Sequence, residues 1–304
     1  MGCFGMFTLS AIIKGDRQMF QEILAIVLLI IGIIYAAAVL KISHSNKDKL
    51  AAEKGSLPKL AAAEAAVYFF GSFGFPDFLL NTLVLKYSKC TDDRSLPGTL
   101  VAGCVTPGAI IAFSLLRADV NPIDTKLLIV CAVSVIAGSL VGSHMVGMFD
   151  KTRIRKIMLA ALIFSFIVLV VRNIVSIGGG NTATSLSGVK LVIAAILCFV
   201  TTVINMFGIP MKPTWTAMFL MLGLTSLTSL SLVLFFGSIA PLAGGIRALY
   251  ADRYHRKLVL CTIVGGSVGA ILGTLFAISI PSSVLNVLLL AVMLIAIITM
   301  VKKS

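Results

Sequence analysis

The sequence predicts an all-α polytopic membrane protein. Two inverted repeats each hold three transmembrane helices plus a broken re-entrant helical hairpin, and one extra transmembrane helix stands at the N-terminus. Three observations predict this. First, 59% of the 304 residues are hydrophobic and 12% are charged, about half the charge of a soluble domain. Second, one Gly/Pro interruption occurs twice. Third, the basic residues lie in short loops, where they report sidedness.

The interruptions are Phe73-Gly74-Phe75-Pro76 and Phe207-Gly208-Ile209-Pro210. The same offset maps Gly103 onto Gly237 and Pro107 onto Pro241. Small residues recur in the same way. Ser134, Gly138 and Gly142 return as Gly265, Gly269 and Gly273. Small residues at every fourth position make a smooth helix face that another backbone can approach closely. Recurrence at matched places indicates duplication.

In chain order, residues 20–41 form an uninterrupted apolar helix with no counterpart later, so residues 1–56 are the extra helix and a polar loop. The first repeat is 57–175. Its broken segment is followed by helices at 97–116, 126–149 and 154–171, the first of them interrupted at Thr106-Pro107-Gly108. A Gly/Ser/Thr-rich linker, 176–188, leads to the second repeat, 189–304. After its broken segment come helices at 224–246, interrupted at Ala240-Pro241, and at 257–280 and 284–301.

Loops 41–59, 151–156 and 247–257 and the C-terminal Lys302-Lys303 are basic, so all should lie on the cytoplasmic side. Three crossings between the first two loops would put them on opposite sides. The conflict disappears if each broken segment enters, turns and leaves on one side. Seven crossings then remain, the N-terminus lies outside, and three crossings per repeat invert the second copy. Such a plan is found in secondary transporters with broken helices at the midplane. A kinked crossing helix is the competing reading of each broken segment.

Irregular backbone at membrane depth must be enclosed by protein or line a wet cavity. After each break a short helix begins, from Asp77 and from Thr214, with an inward N-terminus that favours an anion. Thr106 before Pro107 has the order of a new helix start, and Ser238 to Pro241 matches it. A small anion is therefore expected between the tips, contacted by Gly74, Phe75, Pro76, Asp77, Thr106, Gly208, Pro210, Lys212, Thr214 and Ser238. Lys212 either neutralises the anion or pairs with Asp77, and Asp77 also reads as a helix N-cap. Glu64, two turns into the first hairpin arm, is expected at the solvated cytoplasmic interface, with a proton relay as the other reading. His144 reads as interfacial, and Trp215 and the Phe run 69–75 as packing.

The net charge of +13 reflects loop residues that set orientation and does not point to nucleic acid. The six cysteines are scattered without ligand spacing. Neither a metal nor another cofactor is expected. There is no HExxH, no pair of intramembrane aspartates and no Ser/His/Asp set, so an enzyme is not expected. Met6 breaks the N-myristoylation pattern, and residues 23–40 lack a following cleavage site. The partners expected are the small anion and the lipid bilayer of the plasma or inner membrane. A coupling proton or cation and a homodimer are admitted beside them. An anion channel, a regulatory membrane protein with structural hairpins and a carboxylate carrier remain as alternatives.

The sequence resembles the TauE/SafE family, the sulfite exporter or toluene-sulfonate uptake permease family, over roughly residues 57–303. The resemblance is carried by Leu127-Leu128-Ile129 through Gly138-Ser139-Leu140-Val141-Gly142 with Arg153-Ile154-Arg155-Lys156. It is carried also by Gly265-Gly266-Ser267-Val268-Gly269 through Gly273, and by a Gly/Pro break opening each half. The family's first break is usually of a GxGGG kind followed by Pro. This chain has Gly71-Ser72-Phe73-Gly74-Phe75-Pro76, which keeps two glycines and the proline. The resemblance implies secondary transport of sulfite or an organosulfonate such as sulfoacetate, often as export; the paired breaks themselves suggest a carrier working by alternating access.

Overall fold

The structure is a computed structural model. It describes residues 2–73, 75, 77–88, 95–117, 123–146, 181–209 and 211–276, with scattered residues between 148 and 171. The expected helices at 154–171 and 284–301 lie largely outside the described residues, as do Arg153 and the terminal lysines. What is described is helical: α1 (Gly2–Ser45), α2 (Lys47–Ala52), α3 (Leu57–Gly71), α4 (Asp77–Ser88), α5 (Leu96–Arg117) and α6 (Thr125–Val146). Then follow α7 (Gly188–Asn205), α8 (Lys212–Met221), α9 (Ser226–Tyr250), α10 (Arg256–Cys261), a π-helical turn (Thr262–Gly266) and α11 (Ser267–Phe276).

Among the described residues six helical stretches are long and apolar enough to cross a membrane: Met19–Ser45, Leu96–Ser114, Thr125–Val146, Gly188–Asn205, Thr228–Tyr250 and Arg256–Phe276. The first belongs to a helix longer than the apolar run that signals it. The polar residues Lys14 to Gln18 contain no proline, so nothing ends the helix there. Both interruptions at 72–76 and 206–211 separate two helices, as expected.

The expected interruptions at Pro107 and Pro241 do not occur. Each proline sits inside a continuous helix, α5 and α9. A proline ring collides with the carbonyl four residues back. Here that residue is Gly103 or Gly237, and a glycine lets the backbone bend without ending the helix.

The helices α5 and α9 pack against each other at the centre, with the Ser238 hydroxyl donating to the Gly108 carbonyl at 2.7 Å. Outside them the two halves of the chain exchange partners. A Cβ on Gly138 would stand 2.5 Å from the Phe199 carbonyl oxygen, and one on Gly142 would stand 2.7 Å from that of Val203, so α6 lies directly on α7. A Cβ on Gly269 would stand 1.9 Å from the Ala65 carbonyl, and one on Gly273 would stand 2.5 Å from that of Phe69, so α11 lies on α3. Ala65 and Phe199, like Phe69 and Val203, share the offset of the two breaks. Equivalent glycines therefore meet equivalent backbone across the halves.

The loops sort to two ends. At one end Glu53 accepts from Arg256 at 3.2 Å and from the Lys257 backbone N–H at 2.8 Å, and Lys49 pairs with Asp252 at 3.0 Å. The His255 N–H donates to Thr99 at the start of α5. The starts of α3 and α5 and the loop after α9 thus share this end. At the other end Asn181 donates to the Leu220 carbonyl at 2.6 Å, and the Thr225 N–H donates to the Ala183 carbonyl at 2.9 Å. Gln21 of α1 reaches the Ile123 carbonyl at 3.4 Å.

His255 caps α10 by accepting from the Leu258 N–H at 3.1 Å. Burial holds its pKa below the ordinary 6.5, against the pull of the Glu53 carboxylate toward the charged form. The folded state therefore favours neutral His255. Its contribution is complete above 6.5 and is lost as pH falls below it. His255→Asn, which keeps a capping group, should flatten the fall in melting temperature between about pH 7 and about pH 5. Gly269→Ala should cost about 1–3 kcal/mol by overpacking, read as a lower melting temperature in detergent, while Val268→Ala on the exposed face should leave it near wild type.

Candidate functional site

The two breaks face each other, and a charged pair joins them. Lys212 Nζ lies 2.9 Å from Asp77 Oδ1, and each side chain is only 10% exposed. Asp77 is the first residue of α4 and Lys212 the first residue of α8. The carboxylate suits the positive end of α4, whereas the ammonium sits at the positive end of α8, where cations are disfavoured. Lys212 is thus a charge that requires a negative partner.

Local chemistry fixes each tip. On the second, the Gly208 N–H donates to the Asn205 carbonyl at 2.9 Å. Gly208 adopts φ +84°, a conformation open to glycine and rarely to other residues. The Asn205 amide donates to the Ile209 carbonyl at 2.7 Å. Trp215 donates its indole N–H to the Thr201 hydroxyl at 2.6 Å, tying α8 back to α7. On the first tip, the Ser72 hydroxyl donates to the Tyr68 carbonyl at 2.9 Å, with Ala270 of α11 as a second acceptor at 3.4 Å. Gly237 in α9 leaves room for the lysine stem, since a Cβ there would stand 3.2 Å from Lys212 Cε.

Of the ten residues expected at the anion, the structure brings Asp77 and Lys212 into contact and buries Phe75 and Thr214 beside the tips. Gly74, Pro76 and Pro210 lie outside the described residues. Thr106 donates its hydroxyl to the Gly32 carbonyl of α1 at 3.2 Å. Ser238 spends its hydroxyl on α5. Both belong to continuous helices, so neither opens a new helix toward the tips.

Glu64 departs from expectation. It is fully buried, not solvated. With the Asn81 amide turned toward it, Nδ2 donates to the two carboxyl oxygens at 2.8 and 2.7 Å, and the Thr262 hydroxyl of the π-helical turn lies within hydrogen-bond reach. Asn81 is one turn beyond Asp77 on α4. Nothing local marks this cluster, although an isolated Glu among alanines and a lone Asn in an apolar helix are its only sequence traces. Among the described residues no group of His, Cys, Asp and Glu is arranged to hold a metal. An outer groove of about 530 Å³ between α3 and α4, lined by Leu60, Val67, Phe70, Leu80 and Val84 with Lys59 among its residues, is too apolar for an anion.

Lys212→Ala should leave Asp77 buried without a partner and cost about 3–5 kcal/mol, while the double change with Asp77→Ala should recover most of that loss. Melting temperatures of the four proteins check this.

Neither a curated protein nor a solved structure matches the chain. The model of the sulfite exporter TauE/SafE family matches residues 96–300. The match begins at α5 and leaves out α3 and α4, so it includes Lys212 but not Asp77. With two thirds of its residues matched, this membrane protein, six of whose candidate spans lie among the described residues, belongs to the TauE/SafE family.

Proposed function

We propose that the protein is a secondary carrier of a small anion, sulfite or an organosulfonate, which binds between the two break tips near the membrane midplane. As a member of its family it is a membrane transporter, not an enzyme. Export is the direction that the family's description names. The observation that carries the reading is the Asp77–Lys212 pair, formed across the two tips and shielded from solvent. An anion arriving at Lys212 replaces Asp77 there and meets the positive ends of the α4 and α8 dipoles. Thr214 and the backbone from Phe75 to Asp77 and around Gly208 complete the proposed site. Thr106 and Ser238 hold the surrounding helices instead.

Two sets of contacts support re-entrant hairpins. The starts of α3 and α5 share one end, through Glu53, His255 and Thr99. The start of α7 and the start of α9 share the other, where Lys190 reaches the Leu222 carbonyl at 3.1 Å and Asn181 reaches that of Leu224 at 3.1 Å. Each broken segment then returns to its side of entry, and the two do so from opposite sides. The matched glycine contacts support duplication into halves 57–175 and 189–304. Alternating access follows if the hairpins move against the α5–α9 pair.

The two partners of the ion pair should respond in opposite directions. In a binding assay on detergent-purified protein against sulfite, thiosulfate, sulfoacetate and carboxylates, Lys212→Ala should abolish binding. Asp77→Asn should bind tighter, because the anion no longer competes with a carboxylate. Equal affinity of all three proteins would remove Lys212 and Asp77 from the site, and a response to carboxylates alone would replace the sulfur-anion assignment.

A further inference from the structure

Glu64 has no place in the anion site just described. Its cluster is assembled from three parts of the chain: α3, Asn81 of α4 and Thr262 of the π-helical turn. On its own helix Tyr68 stands one turn away, fully buried, and interacts with Asn81. From α4 the charged group is Asp77. From α5 the neighbour is Cys104, which interacts with Tyr68, Asp77 and Lys212. From α10 it is Cys261. Among the described residues two cations act on this group: Lys212, which acts on Cys104 and is taken by Asp77, and Lys257, which acts on Cys261; neither acts on Glu64 itself. An ionised carboxylate without a cation, fully enclosed at membrane depth, is expensive. Glu64 therefore carries a proton when the Asp77–Lys212 pair is closed. The Asn81 amide serves either state, since its N–H donates to a carboxylate and its carbonyl accepts from a carboxylic acid.

The second half shows that packing does not require a carboxylate there. By the offsets that relate the two halves, Glu64 corresponds to Cys198, Asn81 to Trp215 and Thr262 to Cys131. Cys198 and Cys131 are fully buried against each other. The same three-helix junction is thus filled by neutral side chains in one half and by a titratable group in the other. The titratable version stands one helical turn from the ion pair.

We propose that Glu64 is the proton site of the carrier, and that one proton moves together with each anion. This rests on the anion reading given above. When the anion replaces Asp77 at Lys212, the released carboxylate would remain buried beside a second negative charge. Glu64 passes its proton to Asp77 Oδ and is reprotonated from water at the end where α3 starts. The loaded site then holds Lys212 paired with the anion and both carboxyls neutral. The balance is one anion and one proton gained, with no bond other than O–H made or broken.

The test uses sulfoacetate, whose sulfonate stays ionised and cannot leak across a bilayer as a neutral acid. In weakly buffered detergent solution, wild-type protein should take up about one proton per sulfoacetate bound, read with a pH indicator. Glu64→Gln should take up none. In proteoliposomes, acid on the labelled anion's side should raise wild-type accumulation several-fold. In Glu64→Gln counterflow should persist while the pH gradient adds nothing. Zero proton uptake by wild type overturns the proposal without any variant. So does gradient-driven accumulation by Glu64→Gln, or accumulation driven by the opposite gradient. If wild type shows no counterflow with any anion of the panel, the carrier reading itself fails and takes this inference with it. Counterflow without proton uptake leaves the carrier standing and removes Glu64 from it.

Discussion

An interrupted helix inside a bilayer must have its exposed backbone groups enclosed by protein, and this requirement shapes the rest of the molecule. The described residues of the two interruptions, among them Phe73, Phe75, Phe207 and Ile209, are buried. The α5–α9 pair stands at the centre, and the small-residue faces of α6 and α11 close over α7 and α3. The contact distances leave no room for a side chain. Near the tips, backbone carbonyls find side-chain donors in Asn205 and Ser72.

Once the tips are enclosed, their charges can be used. Lys212 sits where the helix dipole and the low dielectric both oppose a cation. Asp77 relieves this across the two breaks, and in the proposed function an anion from solution does the same. The pair is a strut between the breaks. Glu64 and Asn81 extend the buried polar region beyond the pair, with Asn81 one turn from Asp77 on α4.

The breaks were legible because glycine and proline act through the local backbone. Loop charge was legible because it needs only counting. The α5 and α9 prolines were misread because their effect depends on the residue four positions earlier, a glycine in both cases, where the helix runs on through the proline. Glu64 was misplaced for a different reason. Its distance in turns from the polar loop was right, but its burial is made by Asn81 and by a π-helical turn nearly two hundred residues away. Widened turns have no clear mark in composition. The ion pair could be named in advance only as one of two alternatives, since the sequence brings both charges to the tips and leaves their separation open.

The exchange of partners between halves has a mechanical meaning. The helix α6 of the first half is fastened to α7 of the second, and α11 of the second to α3 of the first. The assembly is a pair of clasped hands, in which each half of the chain holds the first helix of the other's broken segment. Neither of those helices can shift without pulling on a helix that belongs to its counterpart. The same clasp means that a chain cut in the 176–188 linker would yield two fragments that each lack the surface covering their own break, and that recover it only in each other's company.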